Sequence, residues 1–241
     1  MSASSAPLAP WECEGSEKRE AVRGIFAQIA PHYDRMNSIM SMSLHGMWRQ
    51  AGLRAVGLRP MDQVLDLCCG TGDFLVSALR RLGQGGKATG VDFCAPMLSL
   101  ASKKAPQARL ALADACRLPF RAGSFDVVTV GWGLRNLADL DAGLQEAARV
   151  LRPGGRIVSV DMAVPRNRLI RGVSRWLGVA VLPRIGAMFG SKTAYEYLPR
   201  STQAFATREE LAAAFQSAGF RGVGWKDLML GNICVHWGIK E

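Results

Sequence analysis

An α/β fold, with a mostly parallel sheet and helices on both faces, is what this sequence predicts, and three observations carry the prediction. The first is the run Val64-Leu65-Asp66-Leu67-Cys68-Cys69-Gly70-Thr71-Gly72-Asp73-Phe74. Its apolar start reads as a buried strand; it passes a tight Gly-x-Gly turn and enters an apolar, helix-like segment. The second is Asp92, which follows about 20 residues later and closes another strand-like run, Lys87 to Phe93. Third, strand and helix patterns alternate from residue 62 onward, as they do when helices join parallel strands.

Taken in order, residues 1–16, with several Ser, Ala and Pro, read as a flexible tail, and 17–241 as one domain. Residues 17–30 place Val22, Ile25, Phe26 and Ile29 on one helical face. The polar-aromatic segment Pro31 to Asn37 follows, then a Met-rich helical stretch, 38–57, holding His45 and Trp48. Together 17–60 form an N-terminal helical cap. Strands are expected at 63–68, 87–93, 108–113, 125–131 and 156–162, with Leu151-Arg152-Pro153-Gly154-Gly155 as a helix stop and tight turn before the fifth. Residues 167–190 break the alternation and open a helical insertion, or lid, running to 203. Thr207-Arg208-Glu209-Glu210 is a capping box for a helix that Gly219 stops. Gly222 to Lys240 supply two closing strands joined near Leu230-Gly231-Asn232, which completes a seven-stranded, Rossmann-like sheet.

A chain of 241 residues with 49% hydrophobic content can bury one sizeable core. No apolar run reaches the roughly 18 residues that span a bilayer, and the N-terminus lacks a signal-peptide pattern. The six cysteines show no Cys-x-x-Cys spacing and the three histidines are scattered, so no metal site or disulfide framework is expected. The net charge of +10 calls for an acidic partner or surface: nucleic acid, an acidic substrate or an anionic membrane.

The loop then selects a ligand. A dinucleotide loop needs a third glycine where Leu75 stands, and no Gly-Lys-Ser/Thr phosphate loop is present. Asp73 sits where a pyrophosphate would rest against the helix N-terminus, and a carboxylate repels phosphate there. S-adenosyl-L-methionine carries no phosphate; Asp66, Asp73 and Asp92 suit its amine, its cationic sulfonium and its ribose diol. The bland alternative is an ordinary α/β loop with helix-capping acids. Asp114, followed by Ala115 at the third strand's end, can accept from the adenine amino group, or simply form a turn. The fourth strand ends in Gly131-Trp132-Gly133-Leu134-Arg135-Asn136: two glycines that admit close backbone approach, then a cation and an amide at the mouth.

These residues carry a family resemblance. The chain is similar to the C-methyltransferases of menaquinone and ubiquinone biosynthesis, within the class I S-adenosylmethionine-dependent methyltransferases. The similarity runs through Ile29-Ala30-Pro31-His32-Tyr33-Asp34-Arg35-Met36-Asn37, the glycine loop, Gly133-Leu134-Arg135-Asn136, Leu151 to Arg156, Leu182-Pro183-Arg184-Ile185-Gly186 and Val235-His236-Trp237-Gly238. It implies cofactor contacts at Thr71, Asp92, Asp114, Ala115 and Gly131, beside the loop glycines Gly70 and Gly72. Departures are Cys68 and Cys69 for small loop residues, Gly131 for the serine of some relatives, Asp114 for Asn, and His32 for Lys.

The implied acceptor is a ring carbon of a prenylated hydroquinone. Ionising a ring hydroxyl, whose pKa lies near about 10, makes that carbon nucleophilic. Arg135 is expected to favour the phenolate and Asn136 to hold a ring oxygen, while Tyr33 and Asp34 close the acceptor side. Water, Asp34 or His45 could take the proton. Phrases such as Leu65 to Gly70 and Tyr195-Glu196-Tyr197-Leu198 lean toward a demethylmenaquinol acceptor, with the benzoquinol step, or both, as the alternative.

The insertion interleaves Leu169, Ile170, Val173, Trp176, Leu177, Val179, Val181, Leu182 and Met188 with Arg166, Arg168, Arg171, Arg175 and Arg184. That pattern suits a lid over an isoprenoid chain or an interfacial helix on anionic lipid, giving peripheral association at the inner face of the cytoplasmic membrane. A core helix with a solvated arginine face is the plainer reading. A sterol or small-phenol methyltransferase is a rival, and so is an RNA-binding protein or RNA methyltransferase. Neither an appended RNA-binding domain nor an aromatic-interleaved basic stripe supports the latter, so no nucleic-acid partner is expected.

Overall fold

The computed structural model describes residues 13, 15–181, 184 and 192–241. Five parallel strands are β1 Gln63–Leu67, β2 Lys87–Asp92, β3 Arg109–Leu112, β4 Phe125–Gly131 and β5 Leu151–Met162; β6 Phe220–Leu228 and β7 Ile233–Lys240 complete the sheet. Their spatial order is β3-β2-β1-β4-β5-β7-β6, with β7 antiparallel to both of its neighbours. The expected turn before the fifth strand lies inside β5. Phe125 pairs with Leu151 and Val127 with Arg156, so residues 152–155 bulge outward, with Gly154 at φ +73°.

Period-two alternation sends the strands' side chains to two faces. Leu65, Leu67, Val128, Val130 and Ile157 face one core cluster. Val64, Val127, Val158 and Val160 face the other. Each fully buried side chain of this size contributes about 1.5–3 kcal/mol. The first core is closed by α6 Leu140–Val150, whose N-cap Asp139 accepts from Ala142 N–H at 2.9 Å, and by α9 Arg208–Ser217. The capping box opening α9 is formed in full between Thr207 and Glu210.

The second core is closed by α3 His45–Ala55 and α4 Asp73–Leu79, through Trp48, Leu53 and Phe74. On the same side α5 Ala95–Lys104 covers β2 and β3. Ahead of these come α1 Gly15–Ile29, a 3-10 turn Ala30–His32, and α2 Tyr33–Met40. The single helix expected over 38–57 is two helices. Met42 at φ +50° and Ser43 at φ +60° reverse the chain between them, and the Ser41 hydroxyl caps the Asn37 carbonyl at 2.6 Å. The polar-aromatic segment before it is itself helical.

The insertion contains α7 Arg168–Trp176, a π-helical turn Leu177–Val181, and α8 Lys192–Ala204. Residues 1–12 and 14 of the expected tail lie outside the described residues, as do Leu182, Pro183, Ile185, Gly186 and Met188, while residues 15–16 of that tail already belong to α1. No residue of α7 is buried, so it is not a core helix packed on the sheet. No described helix is long and apolar enough to cross a membrane.

Candidate active site

β1 pairs with β2 on one side and with β4 on the other. The strand order reverses here, and a crevice opens beyond the carboxyl ends of the two strands. A cleft of about 650 Å³, its open mouth included, is lined there by Tyr33, Cys68, Gly70, Asp92, Asp114, Ala115, Gly131, Trp132, Gly133 and Asn136, among others. A smaller lobe of about 290 Å³ shares Tyr33, Cys68, Gly70 and Gly131 with it and adds Arg49, Asp66, Thr71, Asp73 and Phe74. Nine of the twelve expected site residues thus line one continuous cleft. Gly72, Asp34 and Arg135 are not among its lining residues.

The strand ends are strained where they meet the cleft. Cys68 and Trp132 lie in left-handed backbone at φ +52° and +56°, which costs about 1–3 kcal/mol each for non-glycine residues. Gly72 at φ +88° turns the chain into α4. Gly133 serves for room: a Cβ there would lie 2.6 Å from that of Cys68, and one on Gly131 would lie 2.9 Å from the Phe74 ring.

Four acids face this space differently. Asp92 closes the loop, accepting from Gly70 N–H and Cys94 N–H at 2.9 Å each; burial pushes its pKa up against those bonds. Each of its oxygens keeps a further lone pair for a ligand hydroxyl. Asp114 accepts from Cys116 N–H at 2.9 Å and from Arg19 of α1 at 3.2 Å. Asp66 accepts from the Thr129 hydroxyl through Oδ1 at 2.7 Å, while its Oδ2 has no partner among the described residues. Burial pushes Asp66 up to about 7, against that hydrogen bond and Arg49. Asp73, expected to offset a ligand cation, is already neutralised. Arg49 lies 3.1 Å from it and Lys104 2.7 Å, and together they outweigh burial and hold its carboxylate below the usual range.

This pairing belongs to a network that ties α2 and α3 to the glycine loop. Lys104 reaches Asp34 at 2.6 Å and the Thr71 oxygen at 3.0 Å, and the Thr71 hydroxyl donates to Asp34 at 2.6 Å. Asp34 is therefore engaged and not poised as a base. His45 is not available either. Arg49 donates to its Nδ1 at 2.6 Å, and burial with the Arg49 charge pushes its pKa down, so the 3.7 Å approach to Asp73 is between a neutral ring and a carboxylate. The Arg49 guanidinium also lies 4.7 Å from the Trp132 ring centre, within cation–π range.

Arg135 departs most from its expected place at the mouth. Its side chain is 4% exposed and is paired with Asp161, itself 3% exposed. It also donates to the Trp132 carbonyl at 3.1 Å, beside the 2.9 Å bond from Asn136 Nδ2. Arg135 Nε and Asp161 Oδ2 have no partner among the described residues. Burial pushes Asp161 up despite the guanidinium. The Arg135 charge still reaches the cleft. Burial raises the pKa of Tyr33 and Tyr197, and Arg135 opposes it at both. Asn136 lines the cleft, and its Oδ1 accepts from the Tyr197 hydroxyl of α8 at 2.8 Å.

Arg49, Lys104, Asp161 and Tyr197 were missed from sequence. Asp161 had a signal, because Ile157-Val158-Ser159-Val160-Asp161 repeats the apolar-run-then-acid pattern that marks Asp66 and Asp92. The other three are joined to the cleft only by tertiary contacts.

A family model described as the ubiE/COQ5 methyltransferase family matches residues 14–240. Demethylmenaquinone methyltransferase of Lactiplantibacillus plantarum is 41% identical over 227 residues, 91% of this chain and 96% of that protein. The Staphylococcus aureus (strain JH9) protein of the same name is 36% identical over 232 residues, 95% of this chain and 96% of its own length. Among solved structures, an S-adenosylmethionine-dependent methyltransferase from Thermotoga maritima superposes with a TM-score of 0.64 at 21% identity, covering 91% of this chain and 100% of that one. That likeness speaks for the fold.

Proposed function

The chain belongs to the ubiE/COQ5 methyltransferase family, and on that premise we propose that it C-methylates a prenylated quinol ring with S-adenosylmethionine, converting demethylmenaquinol to menaquinol. The observation that carries this is a two-lobed cleft whose smaller lobe is lined by Asp66, whose buried Oδ2 has no partner among the described residues, and by Arg49. An ammonium suits the former and a carboxylate the latter, so the lobe fits an amino acid end. Asp92 suits the ribose diol and Asp114 the adenine amino group, with Ala115 beside it as a further cofactor contact. Gly70, Thr71, Gly72 and Gly131 shape the backbone between the lobes. Bound there, S-adenosylmethionine supplies an electrophilic methyl group.

The chain's own residues then activate the acceptor. Burial keeps the Tyr33 hydroxyl protonated, so it can donate to a ring oxygen. Asn136 has one Nδ2 hydrogen beyond its Trp132 bond, and the Tyr197 contact fixes which way it points. Arg135 favours the ring phenolate through its field and, with Asp161, holds the strained Trp132 turn. Asp34 and His45 are both engaged, so the ring proton passes to water in the open cleft. The remaining acceleration comes from aligning the reacting atoms.

The acceptor's prenyl chain resides in lipid, and α7 suits that surface. Leu169, Val173, Trp176 and Leu177 are 81%, 59%, 62% and 44% exposed. At about 100° per residue they share one face, opposite Arg168, Arg171 and Arg175. Peripheral, salt-sensitive binding to anionic vesicles is expected, and a protein that fails to float with them at low salt would sink this part.

The function is tested by following label from S-adenosylmethionine into chemically reduced short-prenyl demethylmenaquinol, with the matching benzoquinol beside it. Label in the naphthoquinol alone supports the proposal; label in both extends it to a second ring. No label in either, with cofactor binding confirmed, overturns it.

A further inference from the structure

The β6–β7 turn is unlike a solvated hairpin tip. Met229 and Leu230 both lie in left-handed backbone, at φ +47° and +56°, where bulky side chains are rare. Leu230 is 75% exposed and Met229 37%, so burial of the Leu230 side chain does not offset the strain. The turn holds an aliphatic side chain out into solvent.

That turn is bonded to the foot of α7. Ala163 N–H donates to the Asn232 carbonyl at 2.9 Å. Arg208, buried, donates to the Val164 carbonyl at 2.8 Å and the Gly231 carbonyl at 2.7 Å, and its Nε holds Asp227 at 2.6 Å. A Cβ on Gly231 would lie 3.4 Å from the Pro165 Cα. Turn and foot therefore move together, although Ala163 and Asn232, which bond directly, are far apart in the chain. Val164, between them, is itself exposed. Residues 163–184 contain five arginines and no acid. Arg166 is paired with Glu209, while Arg168, Arg171 and Arg175 are exposed. An apolar surface bordered by cations in this way is complementary to an anionic bilayer.

We propose that the Met229–Leu230 turn inserts into an anionic lipid surface as a second contact beside α7. The proposal rests on the lipid-facing reading of α7 and adds a distinct element to it. Two elements docking as one body fix the molecule's orientation on the membrane, which one amphipathic helix, free to roll about its axis, does not.

The test is flotation of the full chain with vesicles of phosphatidylcholine plus phosphatidylglycerol, against pure phosphatidylcholine, at low and high salt. Leu230→Asn is the variant, since asparagine tolerates left-handed backbone and the fold is retained. Losing one lipid-inserted leucine should weaken vesicle partitioning about tenfold or more, leaving methyl transfer to a short-chain quinol in solution unchanged. Equal flotation of variant and wild type overturns the turn's role and spares α7. No flotation of the wild type overturns both, and the soluble-substrate assay still judges the methyltransferase reading separately. A wild-type dimer that Leu230→Asn converts to monomer, with vesicle binding unaltered, assigns the surface to a second copy and overturns the proposal.

Discussion

The Tyr197 hydroxyl donates to Asn136 Oδ1 at 2.8 Å, joining α8 of the insertion to the turn after β4. Both residues are buried. Removing the donor leaves a buried acceptor unmet, at a cost of about 1–3 kcal/mol. Tyr197→Phe should lower kcat about tenfold, with little change in cofactor affinity. Equal effects on quinol KM and kcat in Tyr197→Phe and Asn136→Ala would identify the pair as one unit; an unchanged kcat in Tyr197→Phe would remove Asn136 orientation from the mechanism.

Arg135 and Asp161 are a buried pair, and deleting one member strands the other's charge. Arg135→Ala should destabilise the protein by about 3–5 kcal/mol. The neutral double variant Arg135→Gln, Asp161→Asn should recover much of that stability. Its kcat should stay at least tenfold low if the guanidinium field favours the phenolate. A kcat that recovers with the fold would make the pair purely structural.

Asp66 titrates from about 7 in the folded protein against an ordinary 3.8. The folded state thus holds the proton more tightly, and stability is lost as pH rises from about 4 through about 7. Asp66→Asn should be as stable as wild type near pH 4 and more stable above pH 7, by about 4 kcal/mol at the upper limit. Cofactor affinity should fall at the same time. Denaturant unfolding across this pH range checks the first effect and titration calorimetry the second; parallel stability curves would contradict the unpaired burial of Asp66.

Gly133 has no room for a side chain, since a Cβ would meet that of Cys68 at 2.6 Å. Gly133→Ala should shift the Trp132 turn and reduce activity by tenfold or more. Adding Cys68→Gly, which clears the obstructing atom, should restore part of it. The check is the activity of the double variant relative to the single.

Local pattern made the central sheet readable. The strands announced themselves as apolar runs, and the acids at their carboxyl ends marked the side on which the cleft opens. Asp66 and Asp92 were legible because a charge on a buried strand has few other reasons to be there, and Asp114 because it follows the third apolar run. What escaped was set by contacts distant in sequence. Nothing around Arg135 reveals that Asp161, 26 residues on, will neutralise it, and nothing around Asp34 that Lys104 will occupy it. The break between α2 and α3 was missed because its left-handed residues are Met42 and Ser43, with no glycine to give it away.

The helices α1 and α2 have a cluster of their own, in which Val22, Ile25, Ile29 and Met36 meet Cys94, Met97 and Tyr197. Their polar ties also run to later parts of the chain, Arg19 to Asp114 and Asp34 to Lys104. During synthesis this first segment has no surface to settle on until β2, α5 and the end of β3 have emerged, so it docks late. What docks late onto a finished sheet can also detach without melting it. Should cofactor exchange wait on that detachment, the opening rate of the two helices would set its upper bound. Amide hydrogen exchange should find α1 and α2 opening together, at lower free energy than β1 and β4, and cofactor should protect both helices. Equal protection in the helices and the central strands would mean that the segment never separates from the sheet.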